Sequence, residues 1–270
     1  MYRLSINQLT TYRSSLEEDV FRCARMGVEG IGLWREKIQD YGEEKTRELL
    51  RELNVQPSNL LWAGGFTGSE GRSYRESVWD ASAAIRLAGF LECPTLVLYS
   101  GGRGGHTRRH ARRILCDAIA ALLPIAEREG VQLALEPMHP SCFRDWTIFD
   151  TLAETLQLLE DVNHPLLKMV LDTYQLAEQP DLPERIGQWG EQIAVVHLAD
   201  GRLPFATEQN RCSLGDGSID LTGILLALAE IEYRGFLDLE LFGEDVESID
   251  YDALVSSAQA TIEDHAAMAV

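Results

Sequence analysis

Eight short apolar runs alternate with longer amphipathic segments along this chain, and four of the runs end on a carboxylate or an imidazole. No linker, low-complexity tract or shift in composition divides the 270 residues. These observations predict an α/β fold, a single (β/α)8 TIM barrel domain spanning residues 1–270. Parallel strands buried on both faces read as near-continuous apolar runs, and they need helical crossovers. A doubly wound open sheet is the competing architecture. It usually carries a GxGxxG turn after its first strand, and this chain has none there.

The first strand reads from Leu4 to Leu9, and an amphipathic helix follows from Leu16 to Met26, with Gly27 supplying the stop. The second strand is Gly30 to Trp34, with a helix from Glu43 to Leu53. The third, Pro57 to Trp62, runs into Gly64-Gly65-Phe66 and a helix from Tyr74 to Ala88. Thr95 to Tyr99 forms the fourth strand, and the helix from Arg109 to Arg128 ends at Gly130. Val131 to Glu136 is the fifth strand, followed by a helix from Thr147 to Leu159. The sixth is Lys168 to Asp172, with a shorter helix near Leu182 to Trp189. Ile193 to His197 is the seventh; a long loop then reaches Gly215-Asp216-Gly217 and the helix Leu221 to Ile231. Phe236 to Leu241 is the eighth strand, and a helix from Tyr251 to His265 closes the ring.

The charge balance narrows the partners. With 43 acidic and 24 basic residues the net charge is −19, which repels a phosphate backbone, so no nucleic-acid partner is expected. The one basic cluster, Arg103 to Arg113, reads either as a solvated helix start or as an electropositive loop drawing an anionic group to a site. No apolar stretch approaches the roughly 18 residues of a membrane span, so no membrane partner is expected. The N-terminal residues enter a strand pattern directly, without a signal-peptide core, which makes the cytoplasm the expected location. Five cysteines, widely spaced and without a CxxC pair, read as reduced thiols and core filler. Cys142, six residues beyond Glu136, has the alternative of lining a site.

The chemistry lies at the strand tips. Leu133-Ala134-Leu135-Glu136, Met169-Val170-Leu171-Asp172, Val195-Val196-His197 and Leu237-Asp238-Leu239-Glu240 each end on a side chain that binds metals. In a (β/α)8 barrel the C-terminal ends of the strands ring the catalytic face, so the four converge. Two Glu, one Asp and one His form a mainly oxygen donor set, better suited to Mn2+, Mg2+ or Co2+ than a closed structural zinc site is. Taken singly, each carboxylate also fits the plainer role of capping a neighbouring helix.

Five words in order carry a family resemblance: Leu135-Glu136-Pro137, Leu171-Asp172-Thr173-Tyr174, Val196-His197-Leu198-Ala199-Asp200, Gly215-Asp216-Gly217-Ser218-Ile219-Asp220, and Tyr233-Arg234-Gly235-Phe236 leading to Leu239-Glu240. The chain resembles the xylose isomerase-like superfamily of sugar isomerases and epimerases. That resemblance implies that Glu136, Asp172, His197 and Glu240 ligate one divalent ion, with Mn2+ favoured and Mg2+, Co2+ or Zn2+ as alternatives. It implies that Glu136 and Glu240 form an acid/base pair facing each other across a small carbohydrate substrate, and that Arg211 binds that substrate. Homo-oligomers are common in such a family. A metal that holds the sugar oxygens spreads the charge left when a proton leaves the carbon beside a carbonyl.

The chain also departs from the family. Gln175 stands where many relatives have a histidine, and the glutamate that ketose 3-epimerases carry near position 142 is a cysteine. His139, in Glu136-Pro137-Met138-His139-Pro140, is a candidate substrate contact, with a loop brace as its alternative. Trp34 at the second strand tip is a candidate apolar wall or a core residue, and Arg35 a second anchor. Asp200 is either a residue orienting the site from behind or a turn former. The leading reading is a sugar or sugar-derivative isomerase or epimerase working through an enediolate. Its rivals are a lyase or dehydratase on an inosose or a 3-keto-glycoside, and a barrel that binds sugar without turnover.

Overall fold

The computed structural model describes residues 2–139, 141, 146–149, 151–203 and 210–267. Strand β1 (Arg3–Asn7) leads to helix α1 (Leu16–Met26), then β2 (Gly30–Trp34), α2 (Arg35–Tyr41), α3 (Glu43–Glu52), β3 (Gln56–Gly64) and α4 (Tyr74–Phe90). The middle of the chain supplies β4 (Thr95–Tyr99), α5 (Arg108–Glu129), β5 (Gln132–Leu135), α6 (Leu152–Val162), β6 (Leu167–Asp172), α7 (Leu182–Ile186) and β7 (Ile193–Leu198). A two-residue pair follows, β8 (Asp200–Gly201) with β9 (Arg211–Cys212), and then α8 (Leu221–Glu230), β10 (Phe236–Leu239), α9 (Glu244–Glu247) and α10 (Tyr251–Ala267). Strands β1 to β7 and β10 close a barrel in which every pairing is parallel, β10 lying between β7 and β1. The predicted single (β/α)8 barrel is the observed fold.

Local chemistry places the helix ends. Ser15 and Glu18 form a reciprocal capping box at the start of α1, and Gly27 ends that helix in the left-handed conformation. Ser73 and Glu76 repeat the box at α4, and Thr107 caps α5. Several elements differ from expectation, among them the short α9, the β8–β9 pair and the end of α7 at Ile186. Helix α2 follows β2 without a loop, in a stretch to which the sequence assigned no element. The helix expected from Thr147 begins only at Leu152, because Thr151 is the residue whose side chain accepts from the Glu154 N–H. Thr147 instead accepts from the N–H of Phe149, closing a local turn.

Alternation along the strands sorts the core into two sets. Leu61, Val97, Ala134, Val170 and Val195 form a small apolar cluster of their own, inside the barrel. Their sequence neighbours, among them Leu60, Leu96, Leu133, Leu171 and Val196, belong to the large layer between barrel and helices. The opposite side of the barrel interior is polar. Ser5 and Asn7 of β1, Ser58 and Asn59 of β3, and Asp238 of β10 meet there, all at most 2% exposed. Asp238 accepts hydrogen bonds from Ser5 Oγ (2.5 Å), Asn7 Nδ2 (2.8 Å), Asn59 Nδ2 (2.8 Å) and Ser58 Oγ (3.2 Å).

Gly32 makes room for this cluster: a Cβ there would collide with the Asp238 carboxylate. Gly32→Ala is therefore expected to cost about 1–3 kcal/mol through overpacking, measured as a lower urea midpoint with unchanged slope. An unaltered midpoint would show that Asp238 has space to move.

Candidate metal centre and active-site cavity

The alternation that defines the barrel interior also aims the site residues. Ala134, Val170 and Val195 point inward, and Glu136, Asp172 and His197 stand two residues further along, at the C-terminal ends of β5, β6 and β7. Glu240 stands in the same relation to Asp238, one residue past β10. One ligand atom from each of the four lies within 4.8 Å of the others. All four side chains are buried, Asp172 and His197 completely.

The cluster's internal contacts are those of donors around a common centre. His197 Nδ1 lies 2.6 Å from Glu240 Oε2 and 3.2 Å from Glu136 Oε1. Glu240 Oε2 is nevertheless a buried oxygen without a hydrogen bond, since its approach to the imidazole lacks hydrogen-bond geometry. Four such atoms fit around one ion at bond lengths of about 2.0–2.5 Å. The donor set, three carboxylates and one imidazole, is chemically suited to a divalent metal.

Arg211 fixes two of the carboxylates. Its Nη2 donates to Asp172 Oδ2 (2.8 Å) and its Nη1 to Glu240 Oε1 (3.1 Å). The guanidinium is stacked 4.0 Å from the Phe242 ring centroid and is 1% exposed. Asp172 Oδ1 accepts from the N–H groups of Tyr174 (2.7 Å) and Gln175 (3.1 Å), so both its oxygens are oriented. Burial disfavours charge on Glu240, yet Arg211 and His197 draw its pKa down to about 2. Asp172 goes the other way: burial, with Glu240 and Glu136 nearby, raises it to about 6 against the pull of Arg211 and His197. Burial also opposes charge on His197, but Glu240 and Glu136 outweigh it and hold the imidazole well above its ordinary range.

Above this floor opens a cavity of about 550 Å3. Glu136, Gln175, Arg211 and Glu240 face into it, and its walls include Trp34, Trp62, Tyr99 and Trp146.

The other expected site residues fall in several places. Trp34 is a wall residue, its backbone N–H donating to Gln8 Oε1 (2.8 Å). Gln175 reaches the cavity, and its Oε1 accepts from the N–H of His139 (2.8 Å). The His139 ring lies between Ser141 Oγ and Glu178 Oε2, each 2.8 Å away, as a brace of the loop beside the cavity. Arg35 is not brought to the four. Its guanidinium forms a two-pronged pair with Asp80 (2.7 and 2.9 Å) and donates to the Trp62 carbonyl, lining an adjoining groove that shares Trp34, Trp62, Tyr99 and Trp146 with the cavity. Asp200 does not touch the cluster either. Its carboxylate accepts from the N–H groups of Gly201, Gly215, Gly217 and Ile219, so it organises the turn that follows Arg211. Cys142 lies outside the described residues.

Sequence reasoning missed Asp238. It stands 3.9 Å from His197 Nε2, a buried nitrogen with no hydrogen-bond partner, on the side of the ring away from the carboxylate cluster. The signal was present: Asp238 occupies in β10 the inward position that Ala134, Val170 and Val195 occupy in their strands.

Fold and site define a (β/α)8 barrel with a carboxylate–histidine donor cluster at its catalytic face. The chain belongs to the xylose isomerase-like TIM barrel family, whose sequence profile matches residues 20–268. Among characterised relatives, the inosose isomerase of Bacillus velezensis is 24% identical over 97% of this chain and 96% of its own length. The L-ribulose 3-epimerase of Methylomonas sp. is 25% identical, over 74% of this chain and 69% of its own. The 3-dehydroshikimate dehydratase of Bacillus anthracis is 22% identical, over 83% and 84%. Two solved structures are similar throughout. Protein SMc04130 from Sinorhizobium meliloti 1021 superposes with a TM-score of 0.89 at 28% identity, covering 97% of this chain and 98% of that one. The IolI protein, solved with a bound zinc atom, gives 0.85 at 22% identity, covering 99% of each chain. Among the described residues no helix is long and apolar enough to cross a membrane.

Proposed function

We propose that this protein is a divalent-metal-dependent isomerase or epimerase of a keto sugar or a sugar derivative, acting by proton transfer at the carbon beside the carbonyl. The observation that carries the reading is the convergence of Glu136, Asp172, His197 and Glu240 at the floor of one cavity, with Glu240 Oε2 buried and unbonded. Those four residues would hold the ion. When bound, the ion supplies electrophilic stabilisation of the negative charge that develops on the substrate's oxygens. Manganese is the proposed metal on the hardness of the three carboxylates, with Mg2+, Co2+ and Zn2+ as alternatives.

The chain's own residues do the rest. Glu240 and Glu136, both exposed only towards the cavity, take and return the proton. Arg211 keeps Glu240 ionised and fixes its carboxylate through Oε1. Gln175 offers its amide to the substrate but no acid–base chemistry, since an amide does not titrate in this range. The aromatic walls keep bulk water from the reacting carbon. Likeness to an inosose isomerase and a ketose epimerase supports the reaction class. Likeness to a dehydratase supports a second reading, in which the same proton abstraction is followed by loss of a neighbouring hydroxyl. The substrate is a small carbohydrate in either case, and a cytoplasmic location belongs to the same reading.

The test is elemental analysis of protein equilibrated with Mn2+, joined to deuterium incorporation from heavy water into inososes and ketoses. One ion per chain and exchange confined to the carbon beside the carbonyl are expected. A product of unchanged mass, apart from the deuterium, indicates isomerisation; a dehydrated product indicates the second reading. A protein that binds no divalent ion would overturn both.

A further inference from the structure

Asp238 lies level with one member of the donor cluster, on the neighbouring strand. The β7–β10 pairing sets it opposite His197, and the β6–β7 pairing sets Asp172 opposite the same residue on the other side. Both Asp238 and His197 are completely buried. The imidazole spans two layers of the barrel interior. Its Nδ1 faces Glu240 Oε2 (2.6 Å) and Glu136 Oε1 (3.2 Å), whereas its Nε2 faces Asp238 Oδ2 (3.9 Å). At 3.9 Å the second contact is electrostatic rather than a hydrogen bond, and little water screens it inside the barrel.

The surroundings of Asp238 hold a charge in place. Oδ1 accepts from the hydroxyls of Ser5 and Ser58, and Oδ2 accepts from the amide nitrogens of Asn7 and Asn59. All four are neutral donors, carried by β1 and β3. Among the described residues, His197 is the one partner within ion-pair distance that can carry a positive charge. A carboxylate buried among neutral dipoles is costlier than a neutral side chain of the same size. The other half of the barrel interior is filled without charge, by Leu61, Val97, Ala134, Val170 and Val195. The fold alone gives no reason for the charge, and His197 gives one. A half-turn of the ring about Cβ–Cγ would exchange each nitrogen for a carbon, turning Cδ2 to the site carboxylates and Cε1 to Asp238. An anion beside Nε2 favours the orientation in which that atom carries a proton, and it leaves the Nδ1 lone pair to a metal.

We propose that Asp238 is a positioning residue for the metal centre: it fixes the His197 ring with Nε2–H towards the barrel interior and Nδ1 towards Glu136 and Glu240, and Ser5, Asn7, Ser58 and Asn59 hold Asp238 itself. The part played in metal binding rests on the proposed function, but the orientation of the ring does not.

Two measurements on the full chain test this. Calorimetry gives the Mn2+ affinity of the wild type, Asp238→Asn and Ser5→Ala. Labelling the histidines with heavy nitrogen lets NMR follow the Nε2 proton of His197, in metal-free protein and with diamagnetic Zn2+. Its signal is assigned by its absence from His197→Asn. Asp238→Asn is expected to bind Mn2+ about 10–100-fold more weakly and to shift the Nε2 proton signal. Ser5→Ala loses a hydrogen bond to the same carboxylate but keeps its charge. Its urea midpoint should fall while its Mn2+ affinity and the Nε2 signal stay as in the wild type. Asp238→Ser, which sets no amide hydrogens against the four donors, takes the place of Asp238→Asn if that variant does not fold. Wild-type Mn2+ affinity in a folded Asp238 variant, an Nε2 signal that does not move there, or Zn2+ bound through Nε2 would each overturn the proposal. Equal losses of affinity in Ser5→Ala and the Asp238 variant would do the same, since they would reduce Asp238 to a structural part. A wild type that binds no ion, but whose Nε2 signal moves in Asp238→Asn, would uphold the positioning of the ring and count against the metal reading alone.

Discussion

Glu240→Gln is expected to reduce deuterium exchange by about 10²–10⁴-fold, the range ordinarily lost with a general base. The substitution preserves shape, and the amide oxygen retains an acceptor for Arg211 Nη1, so the barrel should fold with little change in its urea midpoint. What disappears is the charge. The carboxylate whose pKa Arg211 and His197 hold near 2 is fully ionised at neutral pH, and the amide that replaces it neither accepts a proton nor offers an anionic donor. Two measurements separate its roles. Metal content per chain reports the loss of one of four donors, and exchange at saturating Mn2+ reports the loss of the base. A variant that binds the ion weakly but exchanges normally at saturation would confine Glu240 to ligation. Wild-type behaviour in both measurements would remove it from the site.

The site and the fold were legible to different depths, for physical reasons. Buried parallel strands must be apolar on both faces, so β2 and β4 are visible end to end from Gly30-Ile31-Gly32-Leu33-Trp34 and Thr95-Leu96-Val97-Leu98-Tyr99. The polar residue at a strand tip is equally visible, because charge is rare within such a run. That reasoning found Glu136, Asp172, His197 and Glu240, which the structure gathers within 4.8 Å. It passed over Asp238 because Leu237-Asp238-Leu239 was read as one apolar run. Only the inward register of β10 shows that its side chain lies in a polar half-barrel with Ser5, Asn7 and Asn59. Arg35 failed for a different reason. Its partner Asp80 is 45 positions away on α4, and a long-range pair leaves no local trace in sequence. The aromatic chamber is also a long-range product: Trp34, Trp62, Tyr99 and Trp146 are 28 or more positions apart, and only the closed ring makes them one wall. Local competition explains the late start of α6, where Thr147 and Thr151 both offer a hydroxyl and only the second sits ahead of a continuous helical face.

Asp19→Ala is expected to destabilise the barrel by about 3–5 kcal/mol, the cost of stranding one partner of a buried pair, against a total stability of about 5–15 kcal/mol. Asp19 is 1% exposed and holds four groups: Lys37 Nζ (2.7 Å), Arg22 Nη1 (2.9 Å), Gln8 Nε2 (3.0 Å) and, through Lys37, the Thr11 carbonyl. Burial pushes the Asp19 pKa up and the Lys37 pKa down, so both charges pay a desolvation cost that their mutual attraction only partly offsets. Removing the carboxylate leaves the Lys37 ammonium 8% exposed with the Thr11 carbonyl as its remaining described partner. Replacing both residues, Asp19→Leu with Lys37→Met, removes the stranded charge and should cost less than Asp19→Ala alone. The consequence reaches the cavity. Gln8 is fixed by Asp19 at its amide nitrogen and fixes the Trp34 N–H with its amide oxygen, so the wall is tied to the pair through one side chain. Urea unfolding followed by tryptophan fluorescence measures the first effect, and the native-state fluorescence, compared between Trp34→Phe and Trp34-containing versions of the same variants, reports the environment of Trp34. A loss below about 1 kcal/mol in Asp19→Ala, or a double variant as unstable as the sum of the single ones, would show that the pair is solvated and does not anchor the catalytic face.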